Sequence, residues 1–428
     1  MAFYSCAAPK DRMMEKLYSD AQTLIDKSIE ENLPRAAVCN ALKNHRFSGD
    51  IYLAAIGKAA WTMARAAKEE LGNGIKKGIV ITKYGHAEKP IPGLEIIEAG
   101  HPLSDENTIR GAEAAIEMAG SLKEGDELLF LISGGGSALF EKPLPGITLE
   151  DIVDVNRQLL SSGADVVEIN MIRKRLSSVK GGRFARICAP AKVFTVVLSD
   201  VLGDRLDSIA SGPAAPDLST AEDARSVVKK YRLKLNGTIG SYLENETPKT
   251  LDNVESVITG SVRTLCQSAA GIAKALGYTP YILCDDMNCE AREAGRLISA
   301  MARRIGRDSS GFKRPCALIL GGETVVHLKG NGKGGRNQEL VLAAAEGIAG
   351  MENVLIFSVG SDGTDGPTDA AGGIVDGRTV ERLGAKGLKL QEILDNNDAY
   401  HGLEAINALV KTGPTGTNVN DVAVILHG

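Results

Sequence analysis

The sequence has little of what marks several large protein classes. Aromatic residues make up only 4% of its 428 positions. No apolar stretch is long enough to cross a bilayer, and the opening residues, MAFYSCAAPKDRMMEK, lack the apolar core of a signal peptide. The cysteines number seven, an odd count with no CxxC pair. That excludes a disulfide framework and points to a reduced, cytoplasmic interior. Basic residues do not predominate: net charge is −5 and the pI about 5.8. A nucleic-acid partner, which calls for a basic face, is therefore not expected.

Familiar catalytic signatures are missing too. The run GNGKGG at 330–335 has GxGxxG spacing but is not read as a dinucleotide fingerprint. It also lacks the serine or threonine that completes a phosphate-binding P-loop. His86 and His101 each follow a strand, but neither has a partner at metal-ligand spacing. Ser133 and Ser137 lie outside any GxSxG context, which disfavours a serine hydrolase.

What the sequence does have is glycine, 48 residues of it, and a 43% hydrophobic content sufficient for real cores. The length predicts two domains. Apolar runs at Ile51–Ile56, Gly78–Thr82, Leu94–Ala99, Glu127–Ile132 and Val193–Leu198 read as buried strands alternating with helices. The pattern implies a mostly parallel sheet with helices on both faces. The polar stretch Leu233–Leu251 is the expected crossover, dividing the chain into 1–245 and 246–428. A second α/β series is expected from Val254–Ile258 onward, with a helix at Leu403–Val410 and a last strand at Val422–Leu426.

Five polar loops follow these strands: at Lys58, Ser133–Ser137, Ser199–Asp204, Lys333–Arg336 and Ser361–Asp369. Ligands in open α/β sheets bind beyond the carboxyl ends of strands, so these loops are candidates for one cleft between the domains. Ser133-Gly134-Gly135-Gly136-Ser137 is suited to wrapping an anion with backbone N–H groups. The stretch Gly321–Gln338 combines six glycines with Glu323, Lys333 and Arg336, and is expected to run strand, turn, strand, glycine loop, helix. Arg336 begins that helix, where a cation gains nothing from the helix dipole; an anionic partner would explain it. Asp362, Asp365 and Asp369 fall within nine residues, and Asp200 and Asp204 form a second acidic pair. Such carboxylates either hold a divalent cation for phosphoryl transfer or simply bond their own turns. Lys180, before two glycines, is placed to reach a cleft.

Dispersed motifs extend this picture. They are AIGKAA at Ala55–Ala60, HP at His101–Pro102, LISGGGSALF at Leu131–Phe140 and EINMIRKRLSSVKGGR at Glu168–Arg183. SDVLGD at Ser199–Asp204, SGP at Ser211–Pro213, GGET at Gly321–Thr324 and GGRNQE at Gly334–Glu339 follow. SDGTDGPTDAAG at Ser361–Gly372 and GTNVND at Gly416–Asp421 complete the set. Over nearly its full length the chain resembles the type II glycerate kinase family, some members of which bear hydroxypyruvate reductase labels. The resemblance implies an N-terminal Rossmann-like three-layer α/β/α domain and a smaller C-terminal α/β domain, called MOFRL. It implies ATP-dependent phosphorylation of D-glycerate to 2-phosphoglycerate with Mg²⁺ or another divalent cation, by a cytoplasmic monomer or homodimer. It makes Lys58 and Arg336 the leading catalytic positions. Ser133–Ser137, Lys180, Glu323 and Asn418 are implied substrate or nucleotide contacts, and Asp200, Asp362, Asp365 and Asp421 the candidate metal carboxylates. The rival reading is an NAD(P)H-dependent hydroxypyruvate reductase, which the missing dinucleotide turn argues against.

Overall fold

The computed structural model describes residues 9–305 and 311–428. The chain divides into two compact α/β units. One is Pro34–Thr259; the other combines the segment up to Leu33 with Gly260–Gly428. This differs from the expected division after residue 245 in two ways, each with a packing cause.

The first unit is built on six strands: β1 (Ile51–Ile56), β2 (Ile75–Lys83), β3 (Leu94–Ala99), β4 (Glu127–Ile132), β5 (Lys192–Leu198) and β6 (Val254–Gly260). Their order is β3-β2-β1-β4-β5-β6. β1 lies parallel to β2 and β4, β2 to β3, and β4 to β5. Val254–Ile258 is thus the edge strand of the first sheet rather than the opening of a second series. Successive side chains point to opposite faces, and in β1 both sets are buried. Ala54 and Ile56 pack with Ala112, Ala115 and Met118 of the helix Glu106–Gly120. Leu53 and Ala55 are equally buried on the other face, and the helix Ala60–Leu71 packs against β1, β2 and β4. This is the expected three-layer, Rossmann-like arrangement. The polar stretch after Leu233 is no linker. It folds as the helix Gly237–Leu243, whose Ile239 and Leu243 join a satellite core with Ile152, Leu159, Ile172 and Val227.

The second unit holds β7 (Thr279–Met287), β8 (Cys316–Gly322), β9 (Val354–Gly360), β10 (Gly372–Asp376), β11 (Leu409–Val410) and β12 (Asp421–His427). Their order is β11-β10-β9-β12-β8-β7. This sheet is mixed: β12 runs antiparallel to β8 and β9 between them, and β7 parallel to β8. Helices Ala291–Ile305 and Arg336–Gly347 fill one face through Ile298, Ala302, Leu340 and Ala344. The N-terminal helix Pro9–Glu31 packs on the helix Val262–Ala275 and on β9. Its buried Leu17, Ala21, Leu24 and Ile25 explain why the start of the chain belongs to this unit.

Two further expectations are corrected. No second strand follows β8 in Gly321–Gln338; Val325 makes only an isolated bridge to Glu290. The segment read as a helix over Leu403–Val410 is a helix ending at Ala405 followed by β11, because Asn407 turns left-handed at φ 54° between them.

Candidate active site

In the first unit, the loops after β1, β4 and β5 converge. The N–H of Lys58 donates to the Gly134 carbonyl at 2.9 Å. The Ala59 N–H donates to Ser133 Oγ at 3.1 Å, and that hydroxyl donates to the Ile56 carbonyl. Thr82 Oγ1 donates to the Gly57 carbonyl, which fixes the turn from below. The glycines have specific reasons. A Cβ on Gly134 would stand 2.4 Å from Asp200 Oδ2, and Gly135, at φ 83°, would bring one to 2.9 Å from His101 Nε2. Lys58, Gly134, Gly135, Asp200 and His101 therefore share one small volume. Among the described residues, the N–H groups of Gly134, Gly135, Gly136 and Ser137 have no hydrogen-bond acceptor. They form an open row of donors.

The electrostatics agree. Burial pushes the Asp200 carboxyl up, and the nearby charge of Lys58 opposes that shift. Burial also pulls His101 down, assisted by Lys58, Lys83 and His86.

Lys180 does not reach this pocket. It is 1% exposed, and its ammonium donates to the carbonyls of Ser137 and Phe140, each at 2.8 Å, and pairs with Glu141 at 3.2 Å. It braces the glycine loop from behind. The sequence offered no sign of this, because Glu141 and the carbonyls lie about forty residues away.

In the second unit, Arg336 is gripped by Asp421. Nε donates to Oδ2 at 2.6 Å and Nη2 to Oδ1 at 3.0 Å, while Nη1 meets Glu323 at 3.1 Å. Asp421 is 5% exposed, and burial pushes its carboxyl up against the opposing pull of Arg336. Both its oxygens accept from the arginine and hold that side chain in place. Asp365 is buried as well. It accepts from the backbone N–H groups of Asn337 and Gln338 at 3.2 and 2.9 Å, capping the helix Arg336–Gly347. It also leaves no room for a side chain at Gly335, where a Cβ would stand 2.2 Å from its Cγ. Burial pushes Asp365 up to about 6 despite those hydrogen bonds. Asp362 accepts from the Thr364 N–H and Asn418 from that of Asn420. Their loops are joined by the Val419 N–H donating to Ser361 Oγ at 2.8 Å. Asp369 lies apart: it is exposed, and Lys411 and Tyr400 hold it down to about 2.

The glycine run at 330–335 is not an anion nest. The N–H groups of Lys329 and Gly330 donate to Asn397 Oδ1, that of Asn331 to Asn396 Oδ1, and that of Lys333 to Asp398 Oδ1. Asn397, left-handed at φ 52°, is tied in turn to buried Glu339 at 3.0 Å. The turn Asn396–Asp398 thus clamps the loop that leads to Arg336. Its only trace in the sequence is a pair of asparagines, residues that tolerate left-handed conformations.

The protein is thus a two-domain α/β protein, with open N–H groups beside a lysine in one unit and an arginine fixed beside carboxylates in the other. Residues 20–244 match the family model described as a domain of unknown function, DUF4147, and residues 316–421 match the MOFRL family. The D-glycerate 2-kinase of Thermotoga maritima is 52% identical, over 96% of this chain and 98% of its own. The glycerate 2-kinase of Pyrococcus horikoshii is 39% identical over 94% and 96%. A crystal structure of glycerate kinase from Thermotoga maritima superposes with a TM-score of 0.93, covering 97% of this chain and 100% of that one. The chain belongs to this glycerate kinase family, in which a DUF4147 domain precedes a MOFRL domain. A relative in Agrobacterium vitis, 39% identical over 87% of this chain, carries a hydroxypyruvate reductase name.

Proposed function

We propose that this protein is a glycerate 2-kinase that transfers the γ-phosphoryl group of ATP to the C2 hydroxyl of D-glycerate. The observation that carries the reading is the open row of N–H groups at Gly134–Ser137 beside Lys58, taken with near-full-length similarity to two glycerate 2-kinases. In the transfer, the hydroxyl oxygen bonds to the γ-phosphorus as the bond to the β,γ-bridging oxygen breaks. Negative charge moves onto the leaving ADP, and the hydroxyl proton must go to a base. The Gly134–Ser137 N–H groups hold phosphate oxygens. Lys58 and Arg336 neutralise the phosphoryl oxygens or the glycerate carboxylate. Asp200 takes the proton; its burial, which raises its affinity for one, suits it to that role. Asp421 and Glu323 keep Arg336 from rotating, so its charge is already oriented when substrate arrives.

Among the described residues no group of three or more His, Cys, Asp or Glu could hold a metal ion. A Mg²⁺–nucleotide does not need one, since Mg²⁺ is usually held by one or two carboxylates together with phosphate oxygens. Asp362 would fit as such an oxygen donor; Asp200 is assigned the proton and Asp421 the arginine. Bound there, Mg²⁺ would neutralise phosphate charge.

The experiment is ADP formation from ATP and D-glycerate, with the product identified by phosphorus NMR. Oxidation of NADH by hydroxypyruvate without ADP formation would favour the reductase reading instead. No described helix is long and apolar enough to cross a membrane.

A further inference from the structure

The first unit contains a second concavity, of about 830 Å³, that the proposed chemistry leaves unused. It lies within the roughly 300–1,000 Å³ typical of small-molecule sites and is far larger than a three-carbon acid requires. Two hydrogen bonds connect it to the anion cradle. Ser137 Oγ lies 3.1 Å from Ser211 Oγ, and Ser211 Oγ donates to Asn170 Oδ1 at 2.9 Å. Asn170 lines the cavity. A second connection is the loop after β5: Asp200 sits beside the cradle, while Asp204, four residues on, lines the cavity.

The lining shows what chemistry it admits. Its cations are already engaged. Lys174 pairs with Asp207 at 3.1 Å and Asp217 at 3.3 Å, Arg205 pairs with Asp207 at 3.1 Å, and Lys249 donates to the Asp217 carbonyl at 3.0 Å. Each of them is paired, with Arg205 half exposed and Lys249 about one-third exposed. What remains open is an acceptor: Asp204 Oδ1 is buried and has no hydrogen-bond partner among the described residues. Such an oxygen calls for a ligand donor, a hydroxyl or an amino group. The rest of the lining mixes Asn170, Ser208, Ser219 and Ser256 with apolar Met171, Leu206, Pro216 and Leu251, and Leu218 stands 80% exposed at this cavity. A flat, uncharged, largely apolar body with donor groups on its edge is a nucleoside.

We propose that this cavity takes the adenosine moiety of ATP, with the triphosphate leading toward Gly134–Ser137. The assignment rests on the kinase reading, and it makes Asp204 an acceptor for a ribose hydroxyl or the adenine amine. It explains how a chain with no dinucleotide turn and no P-loop binds a nucleotide: base and phosphates are received by separate features of the same unit.

Two measurements test it. In Asp204→Gly, which removes the acceptor and adopts freely the left-handed backbone found here at φ 53°, KM for ATP should rise about tenfold or more while KM for D-glycerate stays in place. Photolabelling of the wild-type protein with 8-azido-ATP, mapped by mass spectrometry, should modify peptides spanning 204–219 or 249–256, and excess ATP should suppress it. Labelling confined to other peptides, or an unchanged KM for ATP in a folded Asp204→Gly, overturns the proposal. If the wild-type protein forms no ADP, the kinase reading fails by itself. The photolabel then still reports whether the cavity takes adenosine.

Discussion

Arg336 and Asp421 form a two-pronged ion pair, at 2.6 and 3.0 Å, in which the carboxylate is buried and the guanidinium is one-third exposed. The pair therefore has an inner, structural end and an outer end available to a ligand. Removing the arginine alone leaves an unpaired buried carboxylate, which costs about 3–5 kcal/mol. Arg336→Ala should thus lose both stability and turnover. Arg336→Ala combined with Asp421→Asn should recover most of the thermal stability and none of the activity. Recovery of activity in the double variant would show that the arginine acts only as a structural brace.

Lys58 is half-buried, and no ion pair of its side chain is found among the described residues. Lys58→Ala should keep the wild-type melting temperature and lower kcat by roughly 10²–10³-fold, the usual loss for a group that stabilises transition-state charge. Circular dichroism and steady-state kinetics on the same preparation check both halves of this prediction.

Lys180 should behave in the opposite way. Lys180→Met leaves Glu141 buried and without its partner, at a cost of about 3–5 kcal/mol. Combining it with Glu141→Gln should restore part of the stability. A Lys180→Met protein of wild-type stability with a selectively raised KM would return Lys180 to the substrate contacts.

Asp365 supplies a pH test. Its carboxyl stands at about 6 in the fold against an ordinary 3.8. A raised carboxyl favours the folded state most below the unfolded value, and the benefit is lost as pH rises through the folded one. Across that range the wild type should lose about 3 kcal/mol relative to Asp365→Asn, which has no such titration. The hydrogen bond weakened by the substitution adds a constant offset. Thermal midpoints of the two proteins at about pH 4 and pH 7 give the comparison; a difference that does not change with pH contradicts the burial of a charged Asp365.

Much of the architecture was legible because it is local. Ile51–Ile56 and Glu127–Ile132 are read to the residue, since a short apolar run bounded by turn residues leaves little choice. The places of the SGGGS loop, after a strand, and of Arg336, at a helix start, were also legible. The first followed a strand, and the second placed a cation where a helix dipole gives it no support. What was not legible is non-local. The clamp on the 330–335 loop comes from Asn396–Asp398, about sixty-five residues later in the chain. For the same reason Lys180 read as a cleft lysine, and β6 read as belonging to the wrong sheet: its pairing with β5 crosses the helical insertion that separates them in sequence.

The central claim is the reaction itself. Incubating the purified protein with ATP, Mg²⁺ and D-glycerate and recording the phosphorus spectrum of the product tests it most directly. The account predicts ADP together with 2-phosphoglycerate, and loss of both signals in Lys58→Ala. A spectrum showing 3-phosphoglycerate, or no phosphorylated glycerate alongside NADH-dependent reduction of hydroxypyruvate, would contradict it.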